Sequence, residues 1–135
     1  MQTFDHTVEN PTPPDGVHFW PLGAAAVDGD FLKSLRTLYK NTNATGAIDV
    51  LKIDCEGCEY EVFTDPDTLE FIKSTVKQIM VEVHFNGVKS TESLAQAFAD
   101  AGFKTFSKEP NIQFSDGSCV EYAMINTLLV KIEHD

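Results

Sequence analysis

Positive charge and long apolar segments are both scarce in this sequence. Only 10 lysines and arginines stand against 21 acidic residues, and the formal net charge is -11. Since binding to a phosphate backbone requires clustered Lys and Arg, this balance argues against nucleic acid as a partner. No apolar run approaches the roughly 18 residues that a membrane-spanning helix needs. We therefore expect neither a nucleic-acid site nor a membrane segment in this chain.

A leader pattern and a full set of paired cysteines are also missing. Residues 1–14, MQTFDHTVENPTPP, lack a basic region followed by an apolar one, so they are not expected to form a signal peptide, and a signal encoded further upstream stays open. The cysteines are odd in number, namely Cys55, Cys58 and Cys119. At 135 residues a core can form without disulfides, so the cysteines leave the redox compartment and the localisation undetermined.

Apolar, β-branched segments alternate with helical patterns, and the chain contains no internal repeat. The predicted strands cover 1–4, 17–24, 47–54 and 76–85. The predicted helices are one capped by Asp30, a short one within 55–63, and one over 90–102 that is capped by Ser90 or Thr91 and ended by Gly102. Segments 103–110 and 119–132 follow without a helix between them, which predicts an antiparallel pair. This order indicates a single α/β domain over 1–135 with a mostly parallel sheet.

Parallel sheets bind ligands at the carboxyl ends of their strands, so the residues at those ends are the first candidates for a site. They are Asp5-His6, Leu22-Gly23, Asp54-Cys55-Glu56 and His84-Phe85-Asn86.

Four of these side chains suit chemistry, although structural explanations are also available. A charged residue such as Asp54 at the end of a buried strand is costly unless it is paired or faces a crevice, whereas Glu56 could simply favour a helix N-terminus. His84 lies near the end of its strand on the same side as Glu82, where an imidazole could act as a general base or be a structural hydrogen-bonding group. Asp5 could accept the hydroxyls of a bound ribose or only begin a loop.

Cys55 and Cys58 form a Cys-x-x-Cys pair between a strand and a helix, a place where redox motifs occur. The neighbouring acids, among them Asp54, Glu56 and Glu59, keep thiols protonated and so disfavour a reactive thiolate. Zinc would need further ligands from Cys119, His84 or His18, and no second pair has zinc-like spacing. One helix-packing cysteine and one turn cysteine is the simpler interpretation, and a thiol or zinc protein remains a weak alternative.

Several segments in order along nearly the whole chain resemble the FkbM-like group of class I S-adenosylmethionine-dependent methyltransferases. They are TFDHT, IDVLKIDCEGCEYEVF, QIMVEVH, GFKTFSKEPN and CVEYAMIN. The resemblance implies a Rossmann-like sheet whose last two strands form an antiparallel hairpin. It also implies S-adenosylmethionine as cofactor, with Asp5 at the ribose and Leu22 and Gly23 near the adenine. Asp54, Glu56 and His84 would then lie beside the transferred methyl group, and no metal site is implied.

The family's first strand and glycine-rich loop would precede MQTFD, and no Gly-x-Gly pattern occurs in the 135 residues. The chain is therefore expected to be the C-terminal two-thirds of a methyltransferase domain. A sheet edge exposed where the missing strand belongs would favour self-association.

The function predicted is O-methylation of a small-molecule or glycan acceptor. Asp54 or His84 would be the base, and Glu56 would orient the acceptor. If a divalent cation takes part, Asp54 is the expected ligand. A non-catalytic binding module that keeps the scaffold without the cofactor loop is the main alternative.

Overall fold

The computed structural model describes residues 1–113 and 117–131. Contacts divide the chain into two compact units, Met1–Thr45 and Gly46–Asp135. In the described part of the chain no helix is both long and apolar enough to cross a membrane.

The first unit contains two small parallel sheets and one helix. Its elements are β1 (Gln2–Phe4), β2 (His18–Trp20), β3 (Gly23–Ala24), β4 (Leu32–Lys33) and α1 (Leu35–Asn41). β1 pairs with β2, and β3 pairs with β4. The rings of Phe4 and Trp20, on neighbouring strands, stack with centroids 6.2 Å apart.

The single strand predicted over 17–24 is broken in the structure. β2 ends at Trp20, whose carbonyl accepts from the backbone N–H of Leu22. Pro21 lies in this turn and has no N–H to contribute to a strand ladder. The predicted carboxyl end at Leu22-Gly23 is therefore wrong, because Leu22 lies in the turn and Gly23 begins the next strand.

The predicted helix cap at Asp30 is also wrong. Ser34 caps α1, since its side chain accepts from the backbone N–H of Thr37 at 3.3 Å. The residues before it are used in strand pairing: the carbonyls of Phe31 and Lys33 accept from the strand opposite, each at 2.9 Å. Backbone groups engaged in that ladder cannot enter the first helical turn, so the helix begins later than the apolar spacing predicts.

The described residues of the second unit form a four-stranded mixed sheet and three helices. Its elements are β5 (Ile48–Ile53), α2 (Glu59–Val62), α3 (Pro66–Thr75), β6 (Val76–His84), α4 (Val88–Asp100), β7 (Phe103–Pro110) and β8 (Cys119–Asn126). The strand order is β5-β6-β8-β7. β5 and β6 are parallel, and β8 is antiparallel to both of its neighbours.

The mixed α/β class and the antiparallel terminal pair are thus confirmed. The described strands form two two-stranded parallel sheets and one four-stranded mixed sheet, so the Rossmann-like, mostly parallel arrangement stays a prediction. β8 ends at Asn126, earlier than the segment 119–132 predicted. The last residue of that segment, Ile132, lies outside the described residues.

The core of the second unit lies on one face of β6. Ile79, Val81 and Val83 lie on this face and are buried, whereas the residues between them are only half-buried. The helices supply the rest of this core, chiefly Val62, Phe63, Ile72, Leu94 and Phe98. Glu82 and His84 therefore lie on the opposite side of β6 from the core residues, as the alternation of a strand requires.

Capping residues and the chain conformation before each helix determine where α3 and α4 begin. In α3 the Asp65 side chain caps the first turn by accepting from Thr68 N at 2.8 Å, with Pro66 following it. α4 begins at Val88, so the predicted caps Ser90 and Thr91 lie inside the helix.

Gly102 follows the end of α4 as predicted, with a φ of +86° that suits glycine. A Cβ at this position would lie 2.7 Å from the side chain of Leu128. Gly102 is therefore fixed both by backbone conformation and by packing.

Asn126, at the end of β8, is fully buried and hydrogen-bonded at both ends of its amide. Its Nδ2 donates to the carbonyls of Lys73 and Val76, each at 2.9 Å, where α3 ends and β6 begins. Its Oδ1 accepts from the backbone N–H of Leu128 at 3.0 Å. One side chain thus satisfies polar groups from three segments of the second unit.

Candidate functional site

The turn between β5 and α2 holds the first two site residues. Asp54 directly follows β5, and Glu56 has a φ of +54°, which is uncommon for a residue with a side chain. Gly57 follows with a φ of +110°. Cys55 and Cys58 are joined by a disulfide across this turn. The tight loop therefore presents Asp54 and Glu56 at the carboxyl end of β5.

His84 is the last residue of β6, the parallel neighbour of β5, so its side chain reaches the same edge of the sheet. Its Nε2 lies 3.2 Å from Oε2 of Glu56 and 3.9 Å from Oδ1 of Asp54. The three residues predicted to be catalytic are thus brought together around one ring nitrogen.

Glu59 lies behind this group and was not among the predicted site residues. Its side chain has no exposed surface, and its Oε1 is 3.0 Å from Nδ1 of His84 and accepts from Cys55 N at 3.2 Å. Its Oε2 has no hydrogen-bond partner among residues 1–113 and 117–131. A buried carboxylate on Nδ1 favours the tautomer with the proton on that atom, which leaves the Nε2 lone pair facing Asp54 and Glu56.

Tyr60 fixes the end of β6 from the same helix. Its hydroxyl donates to the carbonyl of His84 at 2.8 Å and accepts from the backbone N–H of Asn86 at 3.2 Å. It also lies 3.2 Å from the hydroxyl of Thr91 in α4. Two residues of α2 therefore fix His84: Glu59 contacts its imidazole ring, and Tyr60 is hydrogen-bonded to its backbone carbonyl.

The close acidic groups shift each other's pKa values. Burial raises the pKa of Asp54, and the charge and hydrogen bond of Glu82 raise it further. The hydrogen bond from Asn111 lowers the pKa of Glu82, so Glu82 keeps its negative charge. Partial burial by itself lowers the pKa of His84, but the hydrogen bond to Glu59 and the surrounding carboxylates outweigh it, and the net pKa is raised. Both Asp54 and His84 therefore bind a proton more readily than usual.

A second group of side chains shares His84. Glu82 lies on the same side of β6 as His84, as predicted. Glu82, His84 and Cys119 each offer one ligand atom, and these atoms lie within 4.8 Å of one another. The same holds for Asp54, Glu56 and His84. Cys119 is a buried free thiol on β8, directly across from His84.

The cofactor residues predicted from the resemblance all lie in the first unit. Asp5 follows β1, and its Oδ1 accepts from the backbone N–H and the hydroxyl of Thr7. These hydrogen bonds hold the pKa of Asp5 below its usual value, and the one from the Thr7 hydroxyl has the larger effect. The carbonyl of Trp20 accepts from the backbone N–H groups of both Asp5 and Leu22, which keeps the two segments adjacent.

Gly23 is required by packing within its own unit. A Cβ there would come within 2.5 Å of Nδ1 of His6 and 2.7 Å of Cδ2 of Leu32. The space beside Gly23 is thus filled by protein side chains.

The disulfide corrects the predicted state of the two motif cysteines. With their sulfur atoms bonded to each other, Cys55 and Cys58 cannot act as thiolate ligands, so a zinc site built on this pair is not supported in this form. The acidic neighbours argue only against a reactive thiolate, and they leave disulfide formation possible. A spacing of three residues with a glycine between the cysteines is the sequence feature that could have indicated the bond.

A protein-family model described as a methyltransferase domain matches residues 23–126. This range spans well over half of the 135 residues, so the chain belongs to this methyltransferase domain family. A search of curated proteins returned no match. The matched range contains Asp54, Glu56 and His84, whereas Asp5 and Leu22 precede it. Family membership therefore bears on methyl transfer as a class of activity, and it leaves the acceptor and the finer subgroup undetermined.

Proposed function

We propose that the chain is a methyltransferase that uses S-adenosylmethionine to methylate a hydroxyl group of a small-molecule or carbohydrate-type acceptor. The observation that carries this proposal is the arrangement around His84 Nε2, with Glu59 behind the ring and two carboxylates in front of it. It occurs at the carboxyl ends of two parallel strands in a methyltransferase family member.

S-adenosylmethionine, when bound, supplies an electrophilic methyl group to the acceptor oxygen. The residues of this chain would manage the proton that the hydroxyl loses. His84 Nε2 can accept it in the neutral state of the ring, while Glu59 stabilises the resulting imidazolium through Nδ1. Asp54, whose pKa is raised, is the second candidate for the base. Glu56 is exposed and would orient the acceptor by accepting a hydrogen bond from it.

The residues proposed to hold the cofactor fit it in part. Asp5 is half-buried and its lowered pKa keeps it ionised, which suits a carboxylate that accepts the two ribose hydroxyls. Leu22 is half-buried and can offer apolar contact to an adenine. Gly23 has its space filled by His6 and Leu32, so we assign it a packing role beside the cofactor rather than direct contact.

A non-catalytic binding module is the second candidate. The observation that favours it is the lack of any Gly-x-Gly pattern in the sequence, because such a loop provides backbone N–H groups for a nucleotide-type cofactor. A thiol function of Cys55 and Cys58 is weaker, since it would require the disulfide to be reduced.

Calorimetric titration of the full chain with S-adenosylmethionine, without added metal, separates these candidates. We expect saturable binding that Asp5→Asn weakens and that Asp15→Asn, an exposed acid in the same unit, leaves unchanged. Absence of heat at high micromolar cofactor would contradict the enzyme proposal. Methyl transfer to hydroxyl acceptors, tested with a panel of sugars and phenols, should fall in His84→Asn and Asp54→Asn.

A further inference from the structure

We propose that His84, Asp54 and Glu56 form a binding site for one divalent transition-metal ion such as Zn²⁺ or Mn²⁺. The ligand atoms are Nε2 of the imidazole and one carboxylate oxygen from each acid. The site needs no cofactor or acceptor, so metal binding can be tested apart from the proposed methyl transfer. An ion on Nε2 takes up the lone pair of that atom, so in the metal-bound state His84 holds the ion and is not the base.

The spacing of the three atoms suits a common metal ion. Two ligands about 2.1 Å from a metal lie roughly 3.0 to 3.4 Å apart for octahedral to tetrahedral angles. The distance from His84 Nε2 to Glu56 Oε2 is 3.2 Å, within that range. The distance to Asp54 Oδ1 is 3.9 Å, so this side chain would move by about half an ångström. Asp54 is 41% exposed, and the movement would exchange its hydrogen bond with Glu82 for the ion.

Glu59 provides the independent observation that points to a ligand. It is a carboxylate with no exposed surface that contacts the ring nitrogen facing away from the proposed ion. In metal sites a ligating histidine commonly donates its second N–H to such a carboxylate, which orients the ring and increases its basicity. In the described part of the chain Glu59 Oε2 has no partner, so the Nδ1 contact is one of the few interactions that this buried side chain makes. A cation on Nε2 would polarise the ring and strengthen that contact.

The charges in front of the ring lead to the same conclusion. Asp54 and Glu56 form no ion pair with Lys or Arg within residues 1–113 and 117–131. Lys52, two residues before Asp54, is 2.9 Å from Glu121 instead. Two carboxylates and Nε2 of His84 thus converge on one point that no Lys or Arg of the described residues reaches, and a divalent ion would satisfy all three.

The ligand set and its exposure indicate the kind of ion. One imidazole nitrogen with two carboxylate oxygens favours Zn²⁺, Mn²⁺ or Fe²⁺ over the all-oxygen sites of Mg²⁺ and Ca²⁺. Glu56 is 85% exposed, so the remaining coordination positions face solvent. This is an open site, in which water or an oxygen of a bound molecule completes the coordination.

The group of Glu82, His84 and Cys119 is the competing assignment, because it uses the same imidazole. Glu82 already accepts from Asn111 Nδ2 at 2.8 Å, and the Cys119 thiol is buried. Asp54 and Glu56 are more exposed, and Glu56 already lies 3.2 Å from Nε2, so this pair can turn toward an ion at lower cost.

The test is a titration of the full chain with Zn²⁺, and separately with Mn²⁺, by calorimetry without thiol reductants, which keeps the Cys55–Cys58 disulfide intact. We expect one ion per chain. Asp54→Asn and Glu56→Gln should each weaken binding by about tenfold or more, and His84→Asn should abolish it. Glu56→Gln changes an exposed side chain, so it keeps the test valid even if His84→Asn fails to fold.

Two control variants decide the assignment. Glu61→Gln, an exposed acid in α2, should leave the affinity unchanged, as should Cys119→Ala if that variant folds. Lack of saturable binding at millimolar metal would overturn the proposal, as would wild-type affinity in both Glu56→Gln and Asp54→Asn. Loss of binding in Cys119→Ala with retention in Glu56→Gln would also overturn it, in favour of the competing group.

Discussion

Nδ1 of His84 lies 3.0 Å from Oε1 of Glu59, a carboxylate with no exposed surface. The contact joins the last residue of β6 to the first residue of α2. Because the helix begins one residue after the disulfide, the ring orientation and the position of the acidic turn are set by the same short segment. The buried carboxyl group of Glu59 therefore fixes the orientation of the His84 ring from the side that faces away from Asp54 and Glu56.

Replacing Glu59 with Gln should weaken Zn²⁺ binding by roughly 10- to 100-fold. Glutamine keeps an oxygen that can accept from Cys55 N, but it removes the charge behind the imidazole. The measurement is the calorimetric titration described above, with far-UV circular dichroism to confirm the fold. Glu61→Gln serves as the matched control, and an unchanged affinity in Glu59→Gln would assign Glu59 a packing role only.

Removing the disulfide should destabilise the protein modestly. A crosslink that closes a four-residue loop restricts the unfolded chain by about 2 kcal/mol on the chain-entropy estimate. The double variant Cys55→Ser, Cys58→Ser should lose up to this amount in urea unfolding followed by fluorescence. Adding dithiothreitol should destabilise the wild type and leave the variant unaffected. A variant as stable as the oxidised wild type would contradict the expectation.

Tyr60→Phe should lower the free energy of unfolding by about 1 kcal/mol, because the backbone N–H of Asn86 loses its acceptor and the His84 carbonyl loses a donor. Tyr122→Phe is the control, since the Tyr122 hydroxyl makes no hydrogen bond to the residues that the structure describes. Urea titrations of both variants provide the comparison. Equal losses in the two would show that the hydroxyl contacts of Tyr60 add nothing.

Asp28 should make the stability depend on acid pH. Its carboxylate accepts hydrogen bonds from the backbone N–H of Ser34 and from the hydroxyl of Thr37. Both lower the pKa of Asp28 in the folded state, and the bond from Ser34 has the larger effect. The stabilisation is fully present above the unfolded pKa of about 3.9 and is lost as the pH falls through the lower folded pKa.

Asp28→Asn should therefore be less stable than the wild type near neutral pH, and the difference should vanish in strong acid. Urea unfolding at the two pH values measures this. Asp30→Asn, two residues on and exposed, is the control and should be neutral at both. A difference that persists in acid would show that the carboxylate charge is not its source.

Self-association through β5 remains a prediction. β5 lies at one edge of the four-stranded sheet, and an edge strand can pair with a second chain. Light scattering after size-exclusion chromatography should show a mass that increases with concentration. A monomeric mass over the whole concentration range would contradict it.

The sequence predicted the second unit better than the first because its signals there are periodic. The buried alternation of β6 and the glycine after α4 follow from residue patterns, and both were found near their predicted positions. In the first unit the boundaries depend on Pro21 and on strand pairs only two residues long, which have no period to detect. Local hydrogen bonding there overrode the apolar spacing that suggested a helix from Asp30.

The three residues that converge at the site could be predicted from the sequence, whereas the buried Glu59 that contacts His84 could not. Asp54, Glu56 and His84 were found because residues at the ends of neighbouring parallel strands must share an edge. Glu59 looked like one of several helix-surface acids, because only the tertiary packing of α2 buries it. Cys55 and Cys58 were judged by their charge environment, which governs thiol reactivity but does not reveal whether two sulfur atoms are within bonding distance.

The position of β8 between β6 and β7 has a consequence during synthesis. A nascent chain that has reached only β7 has no strand to place beside β6, and the carbonyls of Lys73 and Val76 still lack the amide of Asn126. The open edge of β6 would then be available for pairing with other chains. Ribosome-stalled or truncated products ending before residue 119 are therefore expected to aggregate, whereas in the completed chain β8 pairs with this edge of β6.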